Sequence, residues 1–171
     1  MSYSGSARYD FTSLNVMVVE DNKNMQKLLR SILHALGVRN VFECSTGLEA
    51  FQELQRFDAD IVISDWNMEP MNGLDFTRMV RRDQQSPNPY VPIIMLTGHT
   101  ETARVIEARD AGVNMFLAKP ISVKALSERL TALIDNPAQF VRTETYFGPD
   151  RRRKDLGPPR GRPERRRNRI N

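Results

Sequence analysis

The amino-acid sequence predicts an α/β fold in which a five-stranded parallel sheet lies between layers of helices. The first observation is that short apolar runs rich in β-branched residues, typical of strands covered on both faces, recur five times before residue 120. The second is that a helix pattern follows each run. Strict alternation of this kind indicates a parallel sheet with helices on both faces, and right-handed crossovers leave only a few topologies.

The first strand and helix follow a short polar leader, residues 1–11, which is expected to be flexible. The run LNVMVVE (14–20) predicts the strand, and Asn22 is a typical N-cap for the helix. Gly37 ends the helix pattern, as glycine commonly does. The apolar residues between these two positions share one helical face: Met25, Leu28, Leu29, Ile32, Leu33 and Leu36.

The second and third pairs repeat this order. RNVFEC (39–44) predicts a strand, and either Ser45 or Thr46 can cap the next helix. ADIVIS (59–64) predicts the third strand, and a loop rich in Pro, Asn and Gly leads to a helix over about 73–83. The residues expected to face inward on the second helix are Leu48, Phe51 and Leu54.

The last two pairs complete the sheet. VPIIMLT (91–97) and VNMFLA (113–118) predict the fourth and fifth strands. The helix between them, over about 100–111, has a thin apolar face made of Ala103, Val105 and Ile106. Ser122 is expected to cap the last helix, and Pro137 lies just beyond its end. The expected inward residues of that helix are Val123, Leu126, Leu130, Leu133 and Ile134.

Charge is distributed unevenly along the chain. The 171 residues have a net charge of +4, but residues 142–171 contain eleven Lys and Arg against four Asp and Glu, a balance of +7. Residues 1–141 therefore have a net charge of −3. A basic tail on a mildly acidic body indicates an anionic partner, whether nucleic acid, a nucleotide, a membrane or an acidic protein surface.

The single cysteine, Cys44, excludes a disulfide within the chain, as expected of a reducing compartment. No apolar run approaches membrane-spanning length, and the first ten residues lack the apolar core of a signal peptide. We therefore expect a soluble, cytoplasmic protein without a transmembrane segment.

Polar residues stand at the carboxyl ends of four predicted strands: Glu20 and Asp21, Asp65, Thr97, and Lys119. In a doubly wound sheet, the ligand site lies beyond these ends. Three carboxylates brought together there repel one another and require a hard cation, for which oxygen ligands and room for water favour Mg²⁺. Lys119 beside them would bind an oxyanion, so the set can hold a phosphoryl group.

Four sequence blocks in the same order, VMVVEDN, DIVISDWNMEPMNG, IIMLTG and FLAKPIS, resemble the signature blocks of response-regulator receiver domains of the chemotaxis (CheY-like) type. The resemblance covers residues 12–136. It implies a doubly wound, flavodoxin-like (βα)5 receiver with strand order 2-1-3-4-5, followed by a basic, largely irregular arginine-rich tail over 137–171.

The resemblance also implies a phosphorelay site. Asp65 would be the phosphoacceptor, taking its phosphoryl group from a histidine kinase, a phosphotransfer protein or a small acyl phosphate. Glu20, Asp21 and Asp65 would hold Mg²⁺ together with the backbone carbonyl of Asn67. Lys119 would contact the phosphoryl oxygens.

A conformational switch is implied as well. Thr97 would move its hydroxyl toward the phosphoryl group, and Phe116 would turn inward as it does so. The Lys119–Pro120 bond would be cis, which aims the lysine. A downstream protein would read the change on the last two helices and the strand between them. The positions that tune dephosphorylation in relatives are Asn67, Gly98 and His99.

A hydrolase with a nucleophilic aspartate is the competing enzyme class. Such enzymes usually present a second acid two residues after the nucleophile, and this sequence has Asn67 there. Because the general acid is missing, we predict a signalling protein rather than an enzyme, with at most self-catalysed phosphotransfer and autodephosphorylation.

The tail contains ten arginines and one lysine between residues 142 and 171. This bias favours bidentate hydrogen bonding to phosphates and to guanine O6 and N7. Tyr146 and Phe147 supply rings for stacking, and Asp150 can accept hydrogen bonds from a guanine edge. The segment GPDRRR resembles the arginine-rich extension of receivers that bind cyclic di-GMP and act at the flagellar motor.

The resemblance makes nine residues candidates for nucleotide binding: Tyr146, Phe147, Asp150, Arg151, Arg152, Arg153, Arg165, Arg166 and Arg167. Other readings stay open at this point. The tail could instead bind nucleic acid, an acidic protein, an anionic membrane or nothing specific. The body could also be a degenerate receiver that serves only as a docking scaffold.

Overall fold

The computed structural model describes residues 9–98 and 102–151. Its strands are β1 (Asn15–Val19), β2 (Asn40–Cys44), β3 (Ile61–Asp65), β4 (Ile93–Thr97), β5 (Met115–Ala118), β6 (Phe140–Arg142) and β7 (Phe147–Pro149). Its helices are α1 (Lys23–Ala35), α2 (Gly47–Glu53), α3 (Gly73–Arg82), α4 (Thr102–Ala111) and α5 (Val123–Asp135).

The first five strands form one parallel sheet in the order β2-β1-β3-β4-β5. The α/β class and the strand order predicted from the sequence are both confirmed. Alternate residues of β1 face opposite layers: Val16 and Val18 pack with α1 and α5, whereas Met17 and Val19 pack with α2 and α3. The chain goes from β1 to β2 on one side and then returns past β1 to β3 on its other side, which places the switch point at the carboxyl ends of β1 and β3.

Side-chain caps fix the helix starts. The oxygens of Asn22, Thr46, Asn72 and Ser122 each accept a hydrogen bond from the backbone N–H three residues later. The predicted caps Asn22 and Ser122 are confirmed, and of the two candidates for α2 the structure uses Thr46. Within the described ranges, no helix is both long enough and apolar enough to cross a membrane.

Some apolar residues face outward, contrary to the pattern. They are 40% to 53% exposed: Leu28, Leu48, Ile106, Val123 and Ile134. Only the residues at the centre of a broad apolar stripe contact the sheet. Consecutive residues are about 100° apart around the helix axis, so the neighbour of a buried residue can face solvent. Leu28 and Ile134 lie next to the buried Leu29 and Leu133 in this way.

Both ends of the predicted receiver need correction. Phe11, which the sequence assigns to the leader, is buried with the core residues of β1 and α1. After Pro137 the sequence predicts no further strands, yet β6 and β7 form an antiparallel hairpin. Strands of three residues are too short to leave a periodic pattern, which explains why the sequence did not reveal them.

Aromatic rings attach the hairpin to the body. The centre of the Tyr90 ring lies 5.4 Å from that of Phe147 and 5.3 Å from that of Phe140. Both contacts are edge to face. Such ring pairs stabilise the fold by more than the burial of their surface alone accounts for. The hairpin is therefore part of the folded domain.

Beneath the hairpin lies Arg81, which is only 2% exposed. Its guanidinium donates to Gly112 O at 3.0 Å, to Pro89 O at 2.8 Å and to Asn114 Oδ1 at 2.9 Å. The Phe140 ring covers it, 5.0 Å from Cζ. Burial lowers the pKa of Arg81 to about 9. A buried cation is tolerated only with its donors satisfied, so this arginine joins α3, the α4–β5 turn and the hairpin.

We expect Phe147→Ala to lower the free energy of unfolding by about 3 kcal/mol, because it leaves a cavity against Tyr90. Leu48→Ala, at an exposed position, is the matched control and should cost less than about 1 kcal/mol. Urea denaturation followed by circular dichroism measures both. Equal losses would show that the hairpin does not contribute to stability.

Candidate functional site

The carboxyl ends of β1 and β3 bring three acids together. Oxygens of Glu20, Asp21 and Asp65 all lie within 4.8 Å of one another. Glu20 and Asp65 are buried, and Asp21 is exposed at the rim. The sequence-predicted convergence of these carboxylates is present in the structure.

Glu20 is the most deeply buried of the three, at 1% exposure. Its Oε1 accepts from the backbone N–H of Asn22 at 3.0 Å. Its Oε2 has no hydrogen-bond partner among the described residues, since Lys119 Nζ is 4.0 Å away. Burial raises the pKa of Glu20 to about 8, and the neighbouring charge of Asp65 adds to the rise.

Lys119 compensates part of this negative charge. Its Nζ lies 2.9 Å from Asp65 Oδ1, which also accepts from the Trp66 backbone N–H at 2.8 Å. The Lys119 backbone N–H donates to Thr97 O at 2.9 Å, so β4 positions the lysine. The predicted cis bond between Lys119 and Pro120 is confirmed. One ammonium against three carboxylates leaves the cluster short of positive charge.

The donor set fits a magnesium ion. The buried, unpartnered Glu20 Oε2 and the two aspartates offer oxygen ligands alone, which Mg²⁺ prefers. A cleft of about 420 Å³ opens beside them, with room for the waters that Mg²⁺ retains. Asn67 lines the same cleft, and its predicted role through the backbone carbonyl stays a prediction.

The loop between β3 and α3 turns back against the site at Gly73. Its backbone N–H donates to Trp66 O at 2.9 Å. A Cβ at this position would lie 2.2 Å from Asp65 O, so only glycine permits the approach. The sequence motif ending in this glycine therefore has a steric cause.

The sequence pattern did not predict the role of one residue that supports the site. Gln26, on α1, is buried, and its amide donates to the backbone carbonyls of Glu20 and Cys44. It thus holds the end of β1 in place beneath the carboxylates. A polar residue within an amphipathic helix pattern looks like part of the solvated face, so no sequence signal distinguished it.

The predicted switch residues lie around the same edge. Thr97 is buried at the end of β4, and Phe116 on β5 is half-buried against Trp66 and neighbouring apolar residues. Gly98 has open space where a side chain would be, and His99 lies outside the described residues. The movements expected of Thr97 and Phe116 stay predictions.

Helix α4 contacts its neighbours through a cation–ring contact, an ion pair and small apolar side chains. The Arg104 guanidinium carbon lies 5.6 Å from the centre of the Trp66 ring. Arg78 on α3 lies 3.7 Å from Glu107. The fully buried side chains of α4 in the described part are small: Ala108 and Ala111. The helix therefore gains little from apolar burial.

The tail rings lie elsewhere than expected. Tyr146 and Phe147 are both buried and so are not available for stacking as the sequence suggested. Removing the large apolar surface of these rings from water stabilises this arrangement. The Tyr146 hydroxyl donates to Pro149 O at 2.8 Å. Arg151 covers the Tyr146 ring, with Cζ 4.1 Å from its centre, and forms an ion pair with Asp110.

Asp150 is half-buried beside this stack, and its backbone N–H donates to Gln139 O at 2.6 Å. The other candidates for tail binding lie outside the described residues: Arg152, Arg153, Arg165, Arg166 and Arg167.

The sequence is similar to known proteins across the whole parallel sheet. The model of a family described as "Response regulator receiver domain" matches residues 16–131. The chain is 37% identical over 122 residues to chemotaxis protein CheY1 of Helicobacter pylori, covering 71% of this chain and 97% of that protein. It is 32% identical over 123 residues to chemotaxis protein CheY-3 of Vibrio cholerae, covering 72% and 93%.

Solved structures show the same similarity. Chemotaxis protein CheY4 of Vibrio cholerae matches with a TM-score of 0.64 and 30% identity, covering 69% of this chain and 96% of that one. The receiver domain of a sensor histidine kinase of Pseudomonas aeruginosa matches with a TM-score of 0.64 and 29% identity, covering 72% and 98%. That structure has a magnesium ion coordinated in its active-site cleft.

We expect Mg²⁺ to raise the melting temperature of the protein. A ligand that binds only the folded state adds about 2.7 kcal/mol to the free energy of unfolding when its concentration is a hundred times its dissociation constant. Glu20→Gln should weaken this binding at least about ten-fold by removing a buried ligand oxygen. Asp58→Asn, an exposed acid outside the cluster, is the control. Thermal melts across a Mg²⁺ series measure all three, and equal responses would contradict the proposed ligand set.

Proposed function

The chain belongs to the response regulator receiver family, and on that premise we propose that Asp65 accepts a phosphoryl group and that the protein signals through this modification. It is a CheY-like receiver of two-component signalling. The observation that carries the proposal is the placement of Asp65 Oδ1 2.9 Å from Lys119 Nζ, beside two further carboxylates.

The chemistry follows from these groups. A carboxylate oxygen of Asp65 attacks the phosphorus of the donor, and the bond from phosphorus to the donor's imidazole nitrogen or acyl oxygen breaks. Lys119 offsets the charge on the transferred oxygens. Bound Mg²⁺ would supply the remaining positive charge, held by Glu20, Asp21 and Asp65. The donor is a histidine kinase, a phosphotransfer protein or a small acyl phosphate, and the protein itself is no turnover enzyme.

The readout surface comprises α4, β5 and α5. Phosphorylation adds roughly one to two negative charges beside Thr97 and Trp66, enough to shift a weakly held helix such as α4. Ile106 on α4 and Val123 on α5 are exposed apolar residues that a partner can cover.

Both curated relatives reported above are chemotaxis proteins, which supports a flagellar motor component as the downstream target. The free, buried thiol of Cys44 supports a reducing location such as the cytoplasm.

A second function concerns the tail, which we propose binds cyclic di-GMP. Ten arginines against one lysine favour forked recognition of phosphates and guanine edges. Arg151 lies over the Tyr146 ring and pairs with Asp110, so its guanidinium is positioned before any ligand binds. Nucleic acid is the alternative ligand, because its phosphates bind the same kind of arginine cluster.

Acetyl phosphate with Mg²⁺ should change the fluorescence of Trp66, the only tryptophan, and place a labile phosphoryl group on the protein. Asp65→Asn should abolish both signals, whereas Asp58→Asn should keep them. Intact-mass spectrometry before and after hydroxylamine treatment identifies the acyl phosphate. Retention of the label by Asp65→Asn would place the phosphoacceptor elsewhere.

Cyclic di-GMP should bind the full-length protein in calorimetry, and replacing Arg151, Arg152 and Arg153 with Gln should weaken binding at least about ten-fold. Replacing Arg160, Arg162 and Arg169 with Gln removes the same charge outside the candidate set and is the matched control, with a smaller expected loss. Equal losses together with binding to arbitrary oligonucleotides that falls steeply with salt would instead indicate nucleic acid.

A further inference from the structure

A second cleft lies at the end of the domain opposite the carboxylates. Its volume is about 520 Å³, within the range of small-ligand sites. One wall is the C-terminal end of α4, with Arg109, and the other is the hairpin region, with Tyr146, Asp150 and Arg151. Helices of a parallel sheet run back against the strands, which explains why this end of α4 is remote from Asp65.

The two walls are fixed against each other. Gly112, which follows α4, has φ +107°, and a Cβ built on Gly148 of the hairpin would lie 3.1 Å from Gly112 Cα. The same Cβ would lie 2.5 Å from the Tyr146 hydroxyl oxygen. Arg151 and Asp110 form an ion pair across the junction. Since the backbones meet this closely, the cleft is formed before a ligand binds.

The lining suits a purine nucleotide. The Arg151 guanidinium lies on the Tyr146 ring, and its side chain is still 39% exposed, so a base can stack against its outer side. Arg109 is exposed and lines the same cleft as Tyr146 and Arg151. Two arginines on facing walls can therefore hold a base and a phosphate at once.

We infer that this cleft is the part of the ligand site that the domain itself provides, with a guanine base against Arg151 and a phosphate at Arg109. The inference rests on the proposed binding of cyclic di-GMP and adds a residue of the receiver body to the tail arginines. In this assignment, one half of the dimer lies between α4 and Arg151. The ligand thereby joins the tail to α4.

Calorimetry with cyclic di-GMP on the full-length protein tests this assignment. Arg109→Gln should weaken binding about ten-fold through the lost charge-assisted hydrogen bond, and Arg109→Lys should restore part of it. Arg56→Gln is the control, since that arginine is 83% exposed in the turn after α2, outside the cleft lining. Because Arg109 is exposed, unchanged melting temperatures should show that each variant is folded.

The outcomes separate the two proposals. Binding by the wild type that is weakened by Arg109→Gln but not by Arg56→Gln supports the cleft. Binding that is equal in the wild type and in Arg109→Gln overturns the cleft and leaves the ligand to the tail alone. No binding by the wild type overturns both proposals.

Discussion

The repulsion among three carboxylates at one edge of the sheet is the constraint on which the rest of this structure depends. Glu20, Asp21 and Asp65 lie within 4.8 Å of one another, and Lys119 is the only cation that contacts them within the described ranges. Like charges this close destabilise the fold unless a cation or a proton offsets them, and the pKa of Glu20, raised to about 8, indicates that a proton does so near neutral pH when no cation is bound. The supporting contacts, such as the amide of Gln26 beneath β1, hold the cluster together against that repulsion.

Helix α4 has little apolar packing against the body in the part of the chain that the structure describes. Its buried side chains in the described part are alanines, so apolar packing contributes little to its position. The contacts that hold it include Arg104 with Trp66 beside Asp65, Glu107 with Arg78, and Asp110 with Arg151 of the tail. Under the proposed function, a change of charge worth a few kcal/mol would be enough to shift a helix held in this way.

The sequence predicted the sheet and the carboxylate cluster well, because the ends of parallel strands meet at one edge whatever the details of packing. It could not predict that Leu28 and Ile134 face outward. Helical periodicity identifies the apolar face of a helix but not which of its residues contact the sheet. It also missed the hairpin, because strands this short leave no period and the rings Tyr90 and Phe140 are far apart in sequence. Long-range contacts of this kind are set by packing and not by local propensity.

The hairpin changes what the tail can do. An irregular tail would tether a ligand to the receiver without affecting it, because a flexible linker transmits little force. Here the tail begins as a folded element with an ion pair to the end of α4, and Arg104 contacts Trp66 two turns earlier on that helix. Binding equilibria that share one two-state element are linked reciprocally. If Asp65 is phosphorylated as proposed and this modification moves α4, a tail ligand that prefers one position of α4 shifts the phosphorylation equilibrium by the same factor by which phosphorylation changes the affinity for that ligand.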